Sequence, residues 1–278
     1  MLTVSIVTYQ TPDTELLDCL DSLISADVAR IIIVDNSSST ATRMIAESRN
    51  VYYIPSHNIG YGAAHNIAIR KAIDLGADYH LVINSDIHFN GADLGRMVRF
   101  LEQNQDVVAL HPDVRNPDGS RQFTARRLPT PIDVFGRRFL PSRVMERRNR
   151  KYLLMDADLS KPIDVPYFQG SFMMLRTSGL KDSGLFDERF FMYPEDIDLI
   201  RRLHRIGRTL YWPEVKVVHD HHAGSYHSWR LLRIHVINMC RYFSKWGWWH
   251  DRERRAFNRR LDSLPAPMDK KDVDKSET

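Results

Sequence analysis

The 278-residue chain has only two cysteines, Cys19 and Cys240, far apart and each inside an apolar helical pattern. A disulfide framework and a cysteine-based zinc site are therefore excluded, and a reducing compartment is expected. No uninterrupted apolar run reaches the length of a membrane span. The first residues, MLTVSIVTYQT, lack the basic and long apolar regions of a secretion signal, so a cytoplasmic location is expected. No GxGxxG follows the first predicted strand and no lysine-bearing phosphate loop occurs, which removes the usual dinucleotide and P-loop readings. Charge of one sign is scarce overall, at a net +4. From Arg121 to Lys151, however, ten basic residues face only Asp133 and Glu146, which points to an anionic partner there. No nucleic-acid partner is expected.

What the chain does have is alternation. TVSIVTY, RIIIVD, VYYI and YHLVIN read as strands. Between them lie helical patterns, including one that puts Leu16, Leu20, Leu23 and Ile24 on one face and another from about Ala63 to Leu75. Four strands in about eighty residues predict an α/β domain with a doubly wound, mostly parallel sheet and helices on both faces. Ligands bind such sheets outside the carboxyl ends of the strands. The residues there are Thr8 and Tyr9, Asp35 and Asn36, the loop PSHNIGYG, and Asn84 to Asp86.

Each has a bland and a functional reading. Asp35 in DNSSST suits a helix cap as well as a base or ribose contact. Asp86 suits a local turn as well as a hard divalent cation next to a diphosphate. The stretch 116–166 shows no clear periodicity and reads as an irregular, partly mobile basic insertion. In PEDIDLIRRLHRIG, Pro194 and the acids suit a helix start. Ile197, Leu199, Ile200, Leu203 and Ile206 make an apolar arc with Asp196 near its middle, where an ionised group needs a task. Asp198 falls on the far side, in position for a surface pair with Arg202. The strand KVVH ends in His219, with His221 and His222 beyond; a lone histidine is more often structural, whereas three within four residues suit completion of a metal site begun by Asp86 as well. From His227 to Trp249 a helix carries Leu232, Val236, Met239, Phe243 and Trp246 among basic residues. That mixture fits a membrane interface or a helix docked on its own domain.

Taken in order, SIVTYQT, IIIVDNSSS, HNIGYGAAHNIAI, LVINSD, FQGSFMMLR, GLFDERFFMYPEDIDLIRRL and VVHDHHAGS resemble the family 2 glycosyltransferases of GT-A fold, and more closely the rhamnosyltransferase-like bacterial enzymes that extend polysaccharides. The resemblance covers about residues 2–225. The Trp/Arg-rich helical region over 226–262 and the disordered tail over 263–278 are expected from their own composition, whereas the resemblance implies a GT-A domain over 1–225. It also implies a nucleotide-sugar donor, with Thr8, Tyr9, Asp35, Asn58, Gly60, Asn66 and Asn84 at the donor site. Asp86 and His219 are then the residues for Mg2+ or Mn2+, and Asp196 is the catalytic base of an inverting transfer. Asn84 stands where many relatives carry the first acid of the metal motif. The implied donor is dTDP-rhamnose first and a UDP-hexose second. The implied acceptor is a saccharide, in related enzymes often carried on a polyprenyl diphosphate, with peripheral membrane contact through the C-terminus. Two other classes compete. A nucleotidyltransferase would need a glycine-rich basic loop after the first strand, which TYQTPDTE is not, and a non-catalytic sugar-nucleotide-binding protein would leave Asp196 without a purpose.

Overall fold

The computed structural model describes residues 1–137, 140–220 and 229–267. Strands β1 (Leu2–Thr8), β2 (Arg30–Asp35), β3 (Tyr52–Pro55) and β4 (Tyr79–Ile83) alternate with helices α1 (Asp13–Ile24), α2 (Thr40–Ser48) and α3 (Tyr61–Asp74). After them come β5 (Ile87–His88), α4 (Ala92–Gln103), β6 (Val107–Arg115), β7 (Ala125–Arg126), α5 (Ser142–Tyr152), β8 (Ile163–Asp164), β9 (Tyr167–Phe168) and β10 (Phe172–Arg176). The chain continues through α6 (Thr177–Ser183), α7 (Glu195–Leu203), β11 (Arg208–His219), α8 (Trp229–Trp246) and α9 (Arg252–Arg260). The main sheet has the order β3-β2-β1-β4-β10-β6-β11-β5, with β8 on β11. The pairs β1–β2, β1–β4, β2–β3 and β6–β11 are parallel, and β10 runs antiparallel between β4 and β6.

Periodicity explains the local choices. Leu16, Leu20 and Leu23 of α1 are buried against the sheet, each such side chain contributing roughly 2 kcal/mol. Ile24, expected on that face, is instead 47% exposed at the helix end. Helix α3 starts two residues earlier than expected, because Gly60 adopts a φ of 95° and turns the chain directly into it.

Two larger expectations change. The stretch 116–166 is not irregular throughout: it contains β7, α5 and β8, and Ala125, Leu154, Leu159, Ile163 and Val165 join a core cluster with β10 and α7. Helix α5 escaped notice because only Met145 and Tyr152 of its eleven residues are buried, too few for a periodic signal. Asp198 is not on the surface. It is fully buried, because α8 covers that side of α7. The expected Arg202 pair is present at 2.9 Å, and the Trp246 indole N–H and Lys245 Nζ also reach the carboxylate at 2.8 and 2.7 Å.

The C-terminal helices dock on their own domain. Buried Arg201 of α7 pairs with Asp251 at 2.8 Å and Glu253 at 2.7 Å, and its guanidinium lies 4.1 Å from the Trp246 ring centroid. Met239, Tyr242 and Phe243 complete a cluster with Phe190 and Ile197. Trp246 and Trp248 are thus spent on packing, whereas Trp229 and Trp249 are exposed. The Pro265 carbonyl accepts from the Asp158 N–H at 2.8 Å, which ties down the first residues of the expected tail. Residues 268–278 lie outside the described residues. Among the described residues no helix is long and apolar enough to cross a membrane.

Candidate functional site

The carboxyl ends of β1, β2 and β4 form one rim, closed on the other side by the start of α7 and the end of β11. At the β2 end, Asp35 is buried and accepts from Thr8 Oγ1 (3.1 Å), the Ser37 N–H (3.0 Å) and hydroxyl (2.6 Å), the Ser39 N–H (2.6 Å) and the Tyr53 hydroxyl (3.0 Å). Burial pushes its carboxyl up, but the donors from Ser37, Ser39 and Tyr53 outweigh that and hold it below the usual range. Asp35 therefore shapes the loop, and Ser39 is the residue that caps α2. Thr8 serves Asp35, while Tyr9 is 52% exposed at the mouth of the rim.

The β3 loop is tied to the same rim. Asn58 Oδ1 accepts from the Gly60 N–H at 3.2 Å, and Asn36 Nδ2 donates to the Gly60 carbonyl at 3.3 Å. A Cβ at Gly60 would lie 2.2 Å from the Phe191 carbonyl oxygen, so only glycine lets this loop approach the segment before α7. Asn66 is not brought to the rim. Its buried amide clamps the Phe186 N–H and carbonyl at 3.0 and 2.9 Å and Glu188 at 2.9 Å, fixing α3 to that segment.

At the β4 end Asn84 Oδ1 accepts from the Tyr61 hydroxyl at 2.9 Å, which also lies 2.9 Å from the Gly170 carbonyl. Burial, then the nearby Glu195, Asp196 and Asp86 carboxylates, raises the Tyr61 pKa well above normal, so the phenol stays a donor. Beyond it, Asp86 Oδ1 lies 3.2 Å from His219 Nε2. Gln122 sets the histidine's orientation. Its amide nitrogen donates to the His219 carbonyl (2.9 Å) and to Asn116 Oδ1 (2.7 Å), so its oxygen must face His219 Nδ1, at 2.9 Å, and accept a proton from it. Nε2 is thereby left toward Asp86, a contact that holds only with a proton or a metal cation between the two atoms. Asp86 Oδ1 is buried without a hydrogen-bond donor among the described residues. An imidazole nitrogen and a carboxylate oxygen so placed fit a divalent cation that takes its other ligands from phosphate and water. No group of three metal-ligating side chains occurs among the described residues. His221 and His222 lie outside them.

Opposite, Asp196 is half-buried at the first turn of α7. Its Oδ2 accepts from the Gly170 N–H at 3.0 Å, with the Tyr167 hydroxyl at 3.5 Å, and its Oδ1 accepts from the Ile197 N–H at 2.8 Å. Burial raises its pKa, only partly opposed by the Ile197 and Gly170 N–H groups and by Arg126. Glu195 beside it is 4% exposed, its Oε2 has no hydrogen-bond partner, and burial followed by the Asp196 charge raises its pKa well above normal. A carboxyl tuned upward at a rim is suited to proton transfer.

The sequence missed Tyr61, Gln122, Gly170 and Glu195. The last two had a signal: a glycine inside an apolar strand pattern marks close backbone approach, and Glu195 adjoins the acid that the wheel singled out. A chain with this rim has recognisable relatives. It is 29% identical over 270 residues to the N-acetylglucosaminyl-diphospho-decaprenol L-rhamnosyltransferase of Mycobacterium tuberculosis, covering 90% of this chain and 86% of that one. It is 28% identical over 248 residues to the rhamnosyltransferase WbbL of Escherichia coli, covering 85% and 88%. The fold is similar to that of a solved mannosyltransferase, PcManGT from Pyrobaculum calidifontis in complex with GDP-Man and Mn2+, at a TM-score of 0.55 and 18% identity, covering 88% of this chain and 63% of that one. The family model for glycosyl transferase family 2 matches residues 3–184, which include the three strand ends, Asn84, Asp86, Gln122 and Gly170. The sheet order, the rim and this match agree, and the chain belongs to glycosyltransferase family 2.

Proposed function

We propose that the chain is an inverting glycosyltransferase that moves a sugar from a nucleotide-sugar donor to a saccharide acceptor in cell-surface polysaccharide synthesis. The observation that carries this is Asp196: a carboxyl with a raised pKa, held by the Gly170 N–H on the same rim as the Asp86–His219 pair. Asp196 takes the proton from the acceptor hydroxyl as that oxygen bonds to the anomeric carbon. The bond from that carbon to the diphosphate oxygen breaks, and the nucleoside diphosphate leaves on the opposite face. Thr8, Tyr9, Asp35, Asn58, Gly60 and Asn84 line or shape the donor side, and Asn66 fixes it from behind.

Asp86 and His219 would hold Mg2+ or Mn2+, which when bound supplies positive charge to the departing diphosphate. The names of the two relatives support L-rhamnose as the sugar, and the mycobacterial one supports an acceptor carried on a polyprenyl diphosphate. An acceptor of that kind would be met at the inner face of the cytoplasmic membrane.

The test is nucleoside diphosphate release from a panel of sugar nucleotides, with and without Mn2+ or Mg2+, using a polyprenyl-diphosphate saccharide and comparing wild type with Asp196→Asn. Acceptor-dependent release by wild type alone, with an inverted anomeric product by NMR, is expected. Equal release by Asp196→Asn would remove Asp196 as the base, and tight nucleotide binding with no release from any donor or acceptor would favour the non-catalytic reading.

A further inference from the structure

Away from the rim, α5 and α9 face each other across a cleft of roughly 290 Å3. It is lined by Arg127, Arg148, Lys151, Arg254, Arg255 and Arg259, against only two carboxylates, Asp133 and Asp262. None of its lining residues belongs to the rim. The basic run from Arg121 to Lys151 thus finds a place, because three of its members meet three arginines from α9 here.

The two carboxylates are already committed. Asp133 accepts from Arg148 Nε at 2.5 Å and from the Thr130 hydroxyl at 2.7 Å. Asp262 sits between Arg127 Nη1 and Lys151 Nζ at 2.9 Å from each. Arg254 is buried and donates to the carbonyls of Pro129, Gly247 and Trp248. Arg255 and Arg259, one turn apart on α9, are exposed and have no ion-pair partner among the described residues. Like charges at that spacing repel, so the cleft keeps unbalanced positive charge in a concave place. Asp262 shows, with its own oxygen, that cations of this cleft converge on an oxyanion at hydrogen-bond distance. A phosphate presents more such oxygens than a carboxylate and matches guanidinium forks.

Two aliphatic side chains stand exposed beside these cations. Ile132, beside Asp133, is 43% exposed, and Val144, one turn before Arg148 on α5, is 69% exposed. Cations beside exposed aliphatic side chains fit an anionic bilayer surface.

We propose that this cleft is a binding site for a phosphate-bearing anion, separate from the rim, with the headgroup of an anionic lipid as the source that the adjoining surface favours. It does not rest on the transferase reading. The full chain is tested by co-sedimentation with phosphatidylglycerol vesicles and phosphatidylcholine vesicles, and by calorimetric titration with inorganic diphosphate. Wild type is compared with Arg255→Glu/Arg259→Glu and with Arg99→Glu/Lys181→Glu, which alters net charge equally on exposed residues outside the cleft. The expected result is binding to phosphatidylglycerol only, weakened about tenfold or more by the cleft variant and much less by the control. Diphosphate binding without vesicle binding, lost in the cleft variant, would keep the phosphate site and assign it a soluble ligand. Absence of both, or equal losses in the two variants, would overturn the site. Melting temperatures check the fold, and Arg255→Ala/Arg259→Ala should weaken binding in the same direction by a smaller factor.

Discussion

Gly170→Ala tests how Asp196, the proposed base, is held, without replacing it. An alanine Cβ at this position would lie 3.1 Å from Asp196 Cβ and 3.5 Å from its Oδ2. Carbon atoms in contact settle near 3.5 Å, so the Asp196 side chain must retreat by about 0.4 Å. If a displacement of 1 Å costs about a hundredfold in rate, 0.4 Å costs about sixfold. Loss of the base itself, in Asp196→Asn, should cost about a hundredfold to ten-thousandfold. The assay is steady-state nucleoside diphosphate release with acceptor varied. The Gly170→Ala loss should fall on kcat rather than KM, because the acceptor is still bound but its proton is taken from a worse position. Wild-type activity should decline as pH falls through a value above the ordinary carboxylate range, since burial raises Asp196 and only its ionised form accepts the proton. An unchanged kcat in Gly170→Ala, alongside an inactive Asp196→Asn, would refute the claim that the close approach of Gly170 sets the position of Asp196. Full activity in both would refute the base.

Two further outcomes follow from neighbouring groups. Glu195→Gln should raise the melting temperature by about 2–4 °C at pH 8. The Glu195 pKa is raised in the folded state, so the stability it lends is complete below its unfolded value and is lost as pH rises; the variant's advantage should therefore shrink toward pH 4, and an equal advantage at both pH values would show that burial of charge is not its cause. Gln122→Leu should weaken Mn2+ binding, followed by electron paramagnetic resonance, by about 10–100-fold, because His219 loses the acceptor that keeps Nε2 toward Asp86. Unchanged affinity would separate His219 from the metal.

The parallel half of the sheet was legible because short β-rich runs alternate with helical patterns. Thr3 and Ser5 interrupt the apolar run of β1 and His80 that of β4, and the three are buried with hydrogen bonds to one another through His80. The strand ends were legible for the converse reason: polar residues such as Asp35 and Asp86 stand where those runs stop. Helix α5 was not legible, since its two buried residues are seven apart among charges. Asp198 was misplaced because a helical wheel knows only one helix, and the partner that buries its far face, α8, begins more than twenty-five residues later. The same limit hid Gln122. It acts on His219 from 97 residues away, and nothing in its own surroundings in the sequence announces that.

Buried polar atoms without hydrogen-bond partners among the described residues gather along the rim. Asp35 and Asn58 are satisfied by donors from their own loops, and Asn84 by the Tyr61 hydroxyl of α3. Beside them, Asn36 Oδ1, Asp86 Oδ1, Ser171 Oγ and Glu195 Oε2 are buried without hydrogen-bond partners among the described residues. Each such atom costs about 1–3 kcal/mol, and a fold tolerates that cost most readily where something else will complete the set. Other atoms of this kind, on His65, Asn149 and Thr177, are scattered through the fold. The four at the rim belong to the β2 end, the β4 end, the loop that holds Asp196 and the start of α7, the places where the proposed function brings donor, acceptor hydroxyl and base together. On the proposed function, bound donor and acceptor complete the set that the chain leaves open.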